Sequence, residues 1–531
     1  MARRPPMSPA GPQAGPAEDP APAPVVVGVD IGTTATKAVA FTAAGELVAG
    51  ASAEYPLEEP RPGHAEQDPE LILGAVLECL RSVVREVGAP RVAGLSFSAA
   101  MHSLLGLSAD GRPLTPLVTW ADARAGEQAE RLRAGAGGLA LHRRTGTPVH
   151  PMSPLTKLVW FREERTQLCA RVACWAGIKE FVLLRLCGEL VTDHSVASAT
   201  GLMNLQELDW DAEALELAGV TPARLPRLVP TTEVLPGLTA GAAHATGLPA
   251  ATPVVVGAGD GPLANLGLGA VRPGVVACSI GTSGALRVVV DRPVVDPRGQ
   301  VFCYALTPGR WVVGGAVNNG GVVLGWAGDA LAPELGDEPE EELLTLAERV
   351  PAGAGGLVML PYLLGERAPR WTSVPRGAYV GLTRAHRREH LVRAALEGVC
   401  QQLALVLDSM RATGLAVEQV RATGGFARSP LWRQLLADVL GLDVRFAEGH
   451  DGSGFGAALL GMQALGLVAS VDVAAELVQV DATVRPRPAD AAVHAALRPV
   501  FEGLHDALVP AFTALRQLAP SLPLEPGPGL R

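Results

Sequence analysis

The stretch VVVGVDIGTTATKAVAF, Val25 to Phe41, decides how the rest of this 531-residue chain is read. An apolar β-branched run ends at Asp30, a turn of Gly32, Thr33 and Thr34 follows, and a second apolar run leaves through Lys37. That pattern predicts a β-hairpin with polar groups at its tip. Such a tip suits a phosphate and its metal. Glycine admits close backbone approach, threonine hydroxyls and amides donate to phosphate oxygens, and Asp30 is placed to hold magnesium through water. Short Gly-Thr-Thr turns also close purely structural hairpins, so the stretch gains meaning only from an echo elsewhere.

The echo is Ser279-Ile280-Gly281-Thr282-Ser283, again between apolar runs, Val275 to Cys278 and Leu286 to Val290. Two copies predict an internal duplication, two similar lobes each presenting a Gly-Thr tip to a shared cleft. The copies differ where chemistry is concerned. Ser279 stands where the first copy has Asp30, so only the first lobe offers a carboxylate for metal.

Outward from the first tip, Leu47 to Tyr55 reads as a third antiparallel strand, Pro69 to Val87 as a helix and Arg91 to Ser98 as a buried strand. That strand runs into Ala99, Ala100, Met101, His102 and Ser103, where ligand-facing residues are expected, although His102 also fits a hydrogen-bonded, partly buried role. TWADAR at 119–124, if extended, points Trp120, Asp122 and Arg124 to one side, an aromatic wall beside an acid and a base that suits a polyol. From 145 to 208 the glycine and proline density predicts a loop-rich cap, with Lys157 and Lys179 near helix starts. Pro253 to Gly259 reads as a strand delivering Asp260 into a glycine-flanked turn; Asp-Gly is also an ordinary turn dipeptide.

In the second half come a Gly/Asn loop at 318–321, GERAP at 365–369 and a helix from about Arg387 to Met410. A strand from Val420 to Thr423 then meets Gly424-Gly425 and a helix opened by Ser429, a bed for adenosine and its α-phosphate, though a double glycine also serves plain helix entry. The apolar spacing of 492–518 predicts a helix packed back on the second lobe.

Composition narrows the class. A net charge of -10 without a Lys/Arg cluster argues against nucleic acid as partner, and 18% charged with 48% hydrophobic residues describes a globular protein with large buried layers. Seven scattered cysteines without a CxxC pair read as reduced thiols in the cytoplasm. Residues 1–24, rich in proline and alanine with no apolar core, read as a disordered tail whose translation starts at Met1 or Met7, not a signal peptide. The uncharged window from Trp311 to Gly328 contains two asparagines and two glycines at its centre, which argues against a membrane span.

No GxxxxGK[ST] loop is present, and no GxGxxG follows the first strand. What remains, a duplicated hairpin lobe with Gly-Thr tips, an isolated aspartate and a late double glycine, resembles the FGGY family of carbohydrate kinases, from about Val25 to Leu518. SFSAAMHS at 96–103, TWADAR at 119–124, RTGTPVHPMSP at 144–154, VNNGG at 317–321 and ATGGFARS at 422–429 resemble its gluconokinase branch, whereas a xylulokinase is expected to carry Gly-Gln at Ala99-Ala100. The resemblance implies an α/β chain of two actin-like, ribonuclease H-like lobes with the active site in the cleft between them. It divides the chain into the tail 1–24, a sugar-binding lobe with the first phosphate loop at 25–270, a nucleotide-binding lobe at 271–518 and a flexible end at 519–531.

The resemblance further implies ATP and Mg²⁺ as cofactors and phosphorylation of gluconate or a related sugar. Asp260 is the implied catalytic base, also touching substrate, and Asp30 the magnesium-associated acid. Thr33, Thr34 and Lys37 match the first phosphate loop, Gly281 and Thr282 the second, with Gly321, Gly424 and Gly425 also on the nucleotide. Met101, His102, Trp120, Asp122 and Arg124 match sugar contacts, and one of Arg124, Lys179 and Arg367 is expected to meet the gluconate carboxylate. A xylulokinase or other polyol kinase, a sugar or nucleotide sensor, and an actin-like ATPase stand as alternatives, with a homodimer left open as the assembly.

Overall fold

The computed structural model describes residues 22–336, 339–447 and 452–518. The expected tail, up to residue 21, and the end from 519 lie outside the described residues. The opening stretch forms β1 (Val25–Ile31) and β2 (Ala35–Thr42), antiparallel with Asp30 opposite Lys37, and β3 (Leu47–Glu54) extends the sheet. α1 (Pro69–Val87) follows, capped by Asp68, whose carboxylate accepts from the Glu70 amide at 2.8 Å, with Pro69 in the first turn where no helical hydrogen bond is lost. Its stripe of Ile72, Val76, Leu80 and Val83 is almost wholly buried. Each such side chain is worth roughly 1.5–3 kcal/mol, so packing on the sheet, more than helix propensity, holds α1.

β4 (Val92–Ala99), α2 (Pro154–Glu164), α3 (Ile178–Cys187), the short β5 (Val234–Leu235), β6 (Val254–Gly259) and α4 (Asp260–Gly267) complete the first lobe. Its sheet runs β5-β6-β4-β1-β2-β3, with β1, β4 and β6 parallel. The segment 145–208, expected to be loop-rich, is about half helix, with loops and turns at 146–153 and 199–202. Pro154 lies in the first turn of α2, where proline starts a helix, and Lys157 and Lys179 lie inside α2 and α3. Nor is 119–124 extended: the Asp122 amide donates to Thr119 O at 3.2 Å across a turn.

The second lobe begins with β7 (Val275–Ile280), β8 (Gly284–Val290), β9 (Phe302–Thr307) and β10 (Arg310–Val317). It continues through α5 (Val322–Leu331), α6 (Arg388–Ala412), β11 (Gln419–Thr423), α7 (Pro430–Leu440), β12 (Val444–Phe446), α8 (Gly452–Ala464), β13 (Ala482–Val484) and α9 (Pro488–Leu518). Its sheet runs β9-β10-β8-β7-β11-β12-β13, so, past the extra edge strand β9, every strand has a counterpart in the first sheet in the same order. The duplication seen in five residues therefore extends over both sheets. The window 311–328 is divided between β10 and α5, and no helix among the described residues is long and apolar enough to cross a membrane. All seven cysteines are free. α9 packs on α6 and α7, as its apolar spacing predicts.

α8, late in the chain, packs on the first lobe's sheet and along α4. Glycines make this close approach. A Cβ on Gly28 would lie 2.1 Å from Gly454 O, and one on Gly456 would lie 2.2 Å from Leu263 O. One apolar core thus runs from the second lobe through Phe455 to Val26, Val39 and Phe41, while α1 and α3 cover the first sheet's other face.

Candidate active site

In both lobes the polar groups gather at the carboxyl ends of parallel strands, where chain connections leave a crevice. β1 ends at the first tip, β4 at Ala100 to Ser103, β6 at Asp260, β7 at the second tip and β11 at Gly424-Gly425. At the first tip the Gly32 amide donates to Ala35 O at 3.0 Å and Tyr55 donates to Gly32 O at 2.7 Å. Trp120 Nε1 donates to Thr33 Oγ1 at 2.8 Å, which leaves the hydroxyl proton of Thr33 to a ligand, and Thr34 and Lys37 are exposed. At the second tip Gly281 and Thr282 are exposed, backed by the Gly321 amide on Gly281 O at 2.7 Å and the Gly320 amide on Thr282 O at 3.0 Å. Gly424, at φ 119°, lies against this tip: a Cβ there would be 2.1 Å from Ile280 O, which only glycine avoids. The structure thus brings together Gly281, Thr282, Gly321, Gly424 and Gly425.

Two carboxylates face the crevice from the first lobe. Asp30 accepts from Ser98 Oγ at 2.6 Å and from Ser453 Oγ of α8 at 2.7 Å. Asp260, first residue of α4 and not part of a simple turn, accepts from the Gly261 amide at 2.7 Å. Burial pushes the Asp260 carboxyl up to about 6, with the Asp30 charge reinforcing it and the Arg287 guanidinium opposing it. Asp260 is therefore largely ionised at neutral pH yet basic enough to accept a proton. Among the described residues no three acidic, histidine or cysteine side chains converge as a metal cage. Asp30, with serine hydroxyls on both oxygens, fits a magnesium ion that takes its remaining oxygens from phosphates and water.

The strand that delivers Asp260 is held from behind. Lys179 and Asp193, nearly fully buried, pair at 2.6 Å, and Lys179 Nζ also donates to Ala258 O at 3.0 Å. Asp193 caps the next turn through the Ser195 and Val196 amides, and Ser195 Oγ receives the Gly259 amide at 3.2 Å. Lys179, one of three cations considered for the substrate carboxylate, is thus committed to supporting β6. Breaking such a buried pair costs about 3–5 kcal/mol, enough to displace Asp260.

Met101 and His102 line the crevice beside Asp260. A Cβ on Gly259 would come within 2.7 Å of the Met101 side chain, so glycine makes room for it. His102, at φ 66°, donates from Nδ1 to Ala199 O at 2.8 Å, which leaves Nε2 an acceptor near the Tyr304 ring, 5.9 Å between centroids. Burial, aided by Lys157, drives its pKa down to about 3, so the ring stays neutral. Lys157 Nζ donates to His102 O and Thr119 O, both at 2.7 Å, tying the 100–103 and 119–124 turns together. Trp120 faces the crevice with the Arg367 guanidinium 4.9 Å from its ring centroid.

Asp122 and Arg124 do not join this wall. Asp122 is buried, accepts from the Ala65 amide at 2.7 Å, and pairs with Arg124 at 2.7 Å, while Arg124 also pairs with Glu66 at 2.5 Å. They lock the 119–124 turn to residues 65–66 and do not line up beside Trp120, because the chain turns where extension was expected. Sequence reasoning missed Ser98, Ser453, Arg287 and Tyr304. For Arg287 a signal existed, a lone cation in the apolar run leaving the second tip; Ser453 had none, being brought to Asp30 only by α8.

The N-terminal domain of the FGGY family of carbohydrate kinases matches residues 25–267, and its C-terminal domain matches residues 276–465. The chain belongs to this family. It is 42% identical to the gluconokinase of Bacillus subtilis strain 168 over 92% of this chain and 97% of that protein. The structure of a gluconate kinase from Lactobacillus acidophilus superposes with a TM-score of 0.88 at 36% identity, covering 92% of this chain and 99% of that one. A ligand-bound xylulose kinase from the same organism matches with a TM-score of 0.88, 36% identity and the same coverage, 92% and 99%. As an FGGY kinase, the chain has a two-lobed α/β fold whose crevice carries both tips, the two carboxylates and the Met101–His102 turn.

Proposed function

We propose that this FGGY kinase transfers the γ-phosphoryl group of ATP to the terminal hydroxyl of D-gluconate, giving 6-phosphogluconate, with Asp260 as general base. The observation that carries the reaction class is the Asp260 carboxylate, raised to about 6 at the carboxyl end of β6 in the crevice that both Gly-Thr tips border. The kinship to a B. subtilis gluconokinase favours gluconate as the sugar. Asp260 takes the hydroxyl proton as the sugar oxygen bonds to γ-phosphorus and the bond to the bridging oxygen breaks, releasing ADP. Thr33 and Thr34 of the first tip, with Lys37, and Gly281 and Thr282 of the second hold the phosphate oxygens, while Gly321, Gly424 and Gly425 admit the nucleotide backbone-close. Magnesium, held on the Asp30 side, supplies charge compensation to the phosphates when it enters with ATP. Met101, His102 and Trp120 orient the sugar chain. Seven free cysteines suit a reducing compartment, which supports a cytoplasmic location.

The L. acidophilus xylulose kinase, equally similar in fold, keeps a ketose as the second reading. Coupled ADP release with gluconate, xylulose, ribulose, glycerol and no sugar separates them. Gluconate is expected to give the highest kcat/KM; preference for a ketose would replace the substrate, and turnover without any sugar would replace the kinase by an ATPase.

A further inference from the structure

Two guanidiniums and a phenol of the second lobe converge on the crevice, and the phosphoryl chemistry above does not use them. The guanidinium of Arg287, half-buried on β8, forms no hydrogen bond or ion pair with any described residue, and it lies against the first turn of α4, where a Cβ on Gly261 would be 3.3 Å from its Nε. Arg367 stacks over Trp120 and donates from Nη2 to Val317 O at 3.0 Å, while its buried Nε has no partner. Tyr304, 2% exposed, has a hydroxyl without any hydrogen-bond partner and is acted on by the charge of both arginines. A buried donor left unpaired costs about 1–3 kcal/mol and an unpaired cation more, so two such donors beside the unbonded Arg287 guanidinium point to an anion as their partner.

We propose that Arg287, Arg367 and the Tyr304 hydroxyl bind the carboxylate of the substrate and so set the preference for an aldonate over a neutral polyol or ketose. This rests on the gluconate reading and deepens it. A guanidinium presents a planar fork matched to a carboxylate, and Tyr304 adds one neutral donor. Arg124 and Lys179 are consumed by Asp122, Glu66 and Asp193, which leaves Arg367 of the three cations considered from sequence, joined by Arg287. Glu366, beside Arg367, does not cancel its charge at neutral pH, since burial holds the Glu366 carboxyl up to about 8. Because the base comes from the first lobe and the clamp from the second, a carboxylate held here also draws the lobes together. A neutral ligand would leave the cations unpaired, and sites built around hydrogen-bonding groups reject ligands lacking the partner by up to roughly 10⁴-fold.

The test compares wild type, Arg287→Met and Tyr304→Phe in the full chain, by coupled ADP release with gluconate and with the neutral six-carbon alditol D-glucitol. Assayed at pH 8.5, above the acid limb, Arg287→Met is expected to raise the gluconate KM on the order of 10²-fold, leave the ATP KM within about threefold, and change kcat/KM for the alditol far less, so that discrimination collapses. Tyr304→Phe moves the same ratio in the same direction by roughly tenfold; should Arg287→Met fail to bind ATP·Mg in calorimetry because it is misfolded, this variant alone decides. A parallel fall with both sugars, together with a raised ATP KM, would assign Arg287 to the phosphates and overturn the proposal. Unchanged discrimination in both variants would overturn it as well. If wild type turns over no gluconate, the proposed function fails instead, a distinct outcome.

Discussion

At the residue scale, Asp260 shows how one environment raises a carboxyl, as the proposed base requires. Burial alone raises its carboxyl, Asp30 adds to that and Arg287 subtracts. Asp260→Asn keeps the shape and removes the proton acceptor; turnover is expected to fall by roughly 10² to 10⁴ with ATP binding retained, read by steady-state kinetics and nucleotide calorimetry. The pH dependence follows from the sign of the shift. Only the ionised carboxylate accepts the proton, so kcat/KM for the sugar should be level above pH 7 and fall about tenfold per unit below pH 6. Arg287→Met removes a cation that favours the carboxylate, so the acid limb should move to higher pH in that variant. A limb that stays in place would mean that the two groups are not coupled.

At the scale of elements, α8 joins the lobes, and glycines decide how closely. Gly28→Ala would drive a methyl to 2.1 Å from the Gly454 carbonyl, backbone that yields only if the helix shifts. We expect a loss of about 1–3 kcal/mol in chemical unfolding, with weakened activity because the same shift carries Ser453 away from Asp30. Gly74→Ala in α1 is the contrast. It is exposed with nothing within 4 Å of the new methyl, so it should be neutral or stabilising, by up to about 1 kcal/mol. Equal effects of the two substitutions would refute the role given to close packing at α8.

At the scale of the whole molecule, the crevice has the proposed base and metal-side acid on one lobe and the proposed carboxylate clamp and second tip on the other. Substrate and nucleotide together should therefore bring the lobes nearer and exclude water from the transferring phosphoryl group. Small-angle scattering with gluconate and a non-hydrolysable ATP analogue should show a smaller radius of gyration than either ligand alone; an unchanged radius would count against closure. Much of this was legible in the sequence. The apolar β-branched runs, the Gly-Thr tips, Pro69 at a helix start and the double glycine are local signals, because turns and strands are set by neighbouring residues, and the repeat of one hairpin announced two lobes. Local pattern failed where long-range partners set the backbone or occupied the charge. Asp122 and Arg124 are spent on each other and on residues 65–66, Lys179 is buried against Asp193, and within 145–208 Pro154 opens a helix while Pro148 and Pro151 lie in the loop before it. By itself the sequence determined the duplicated α/β lobes and the residues at their tips; only the tertiary structure decided which charges stay unpaired in the crevice, because pairing joins residues far apart in the chain.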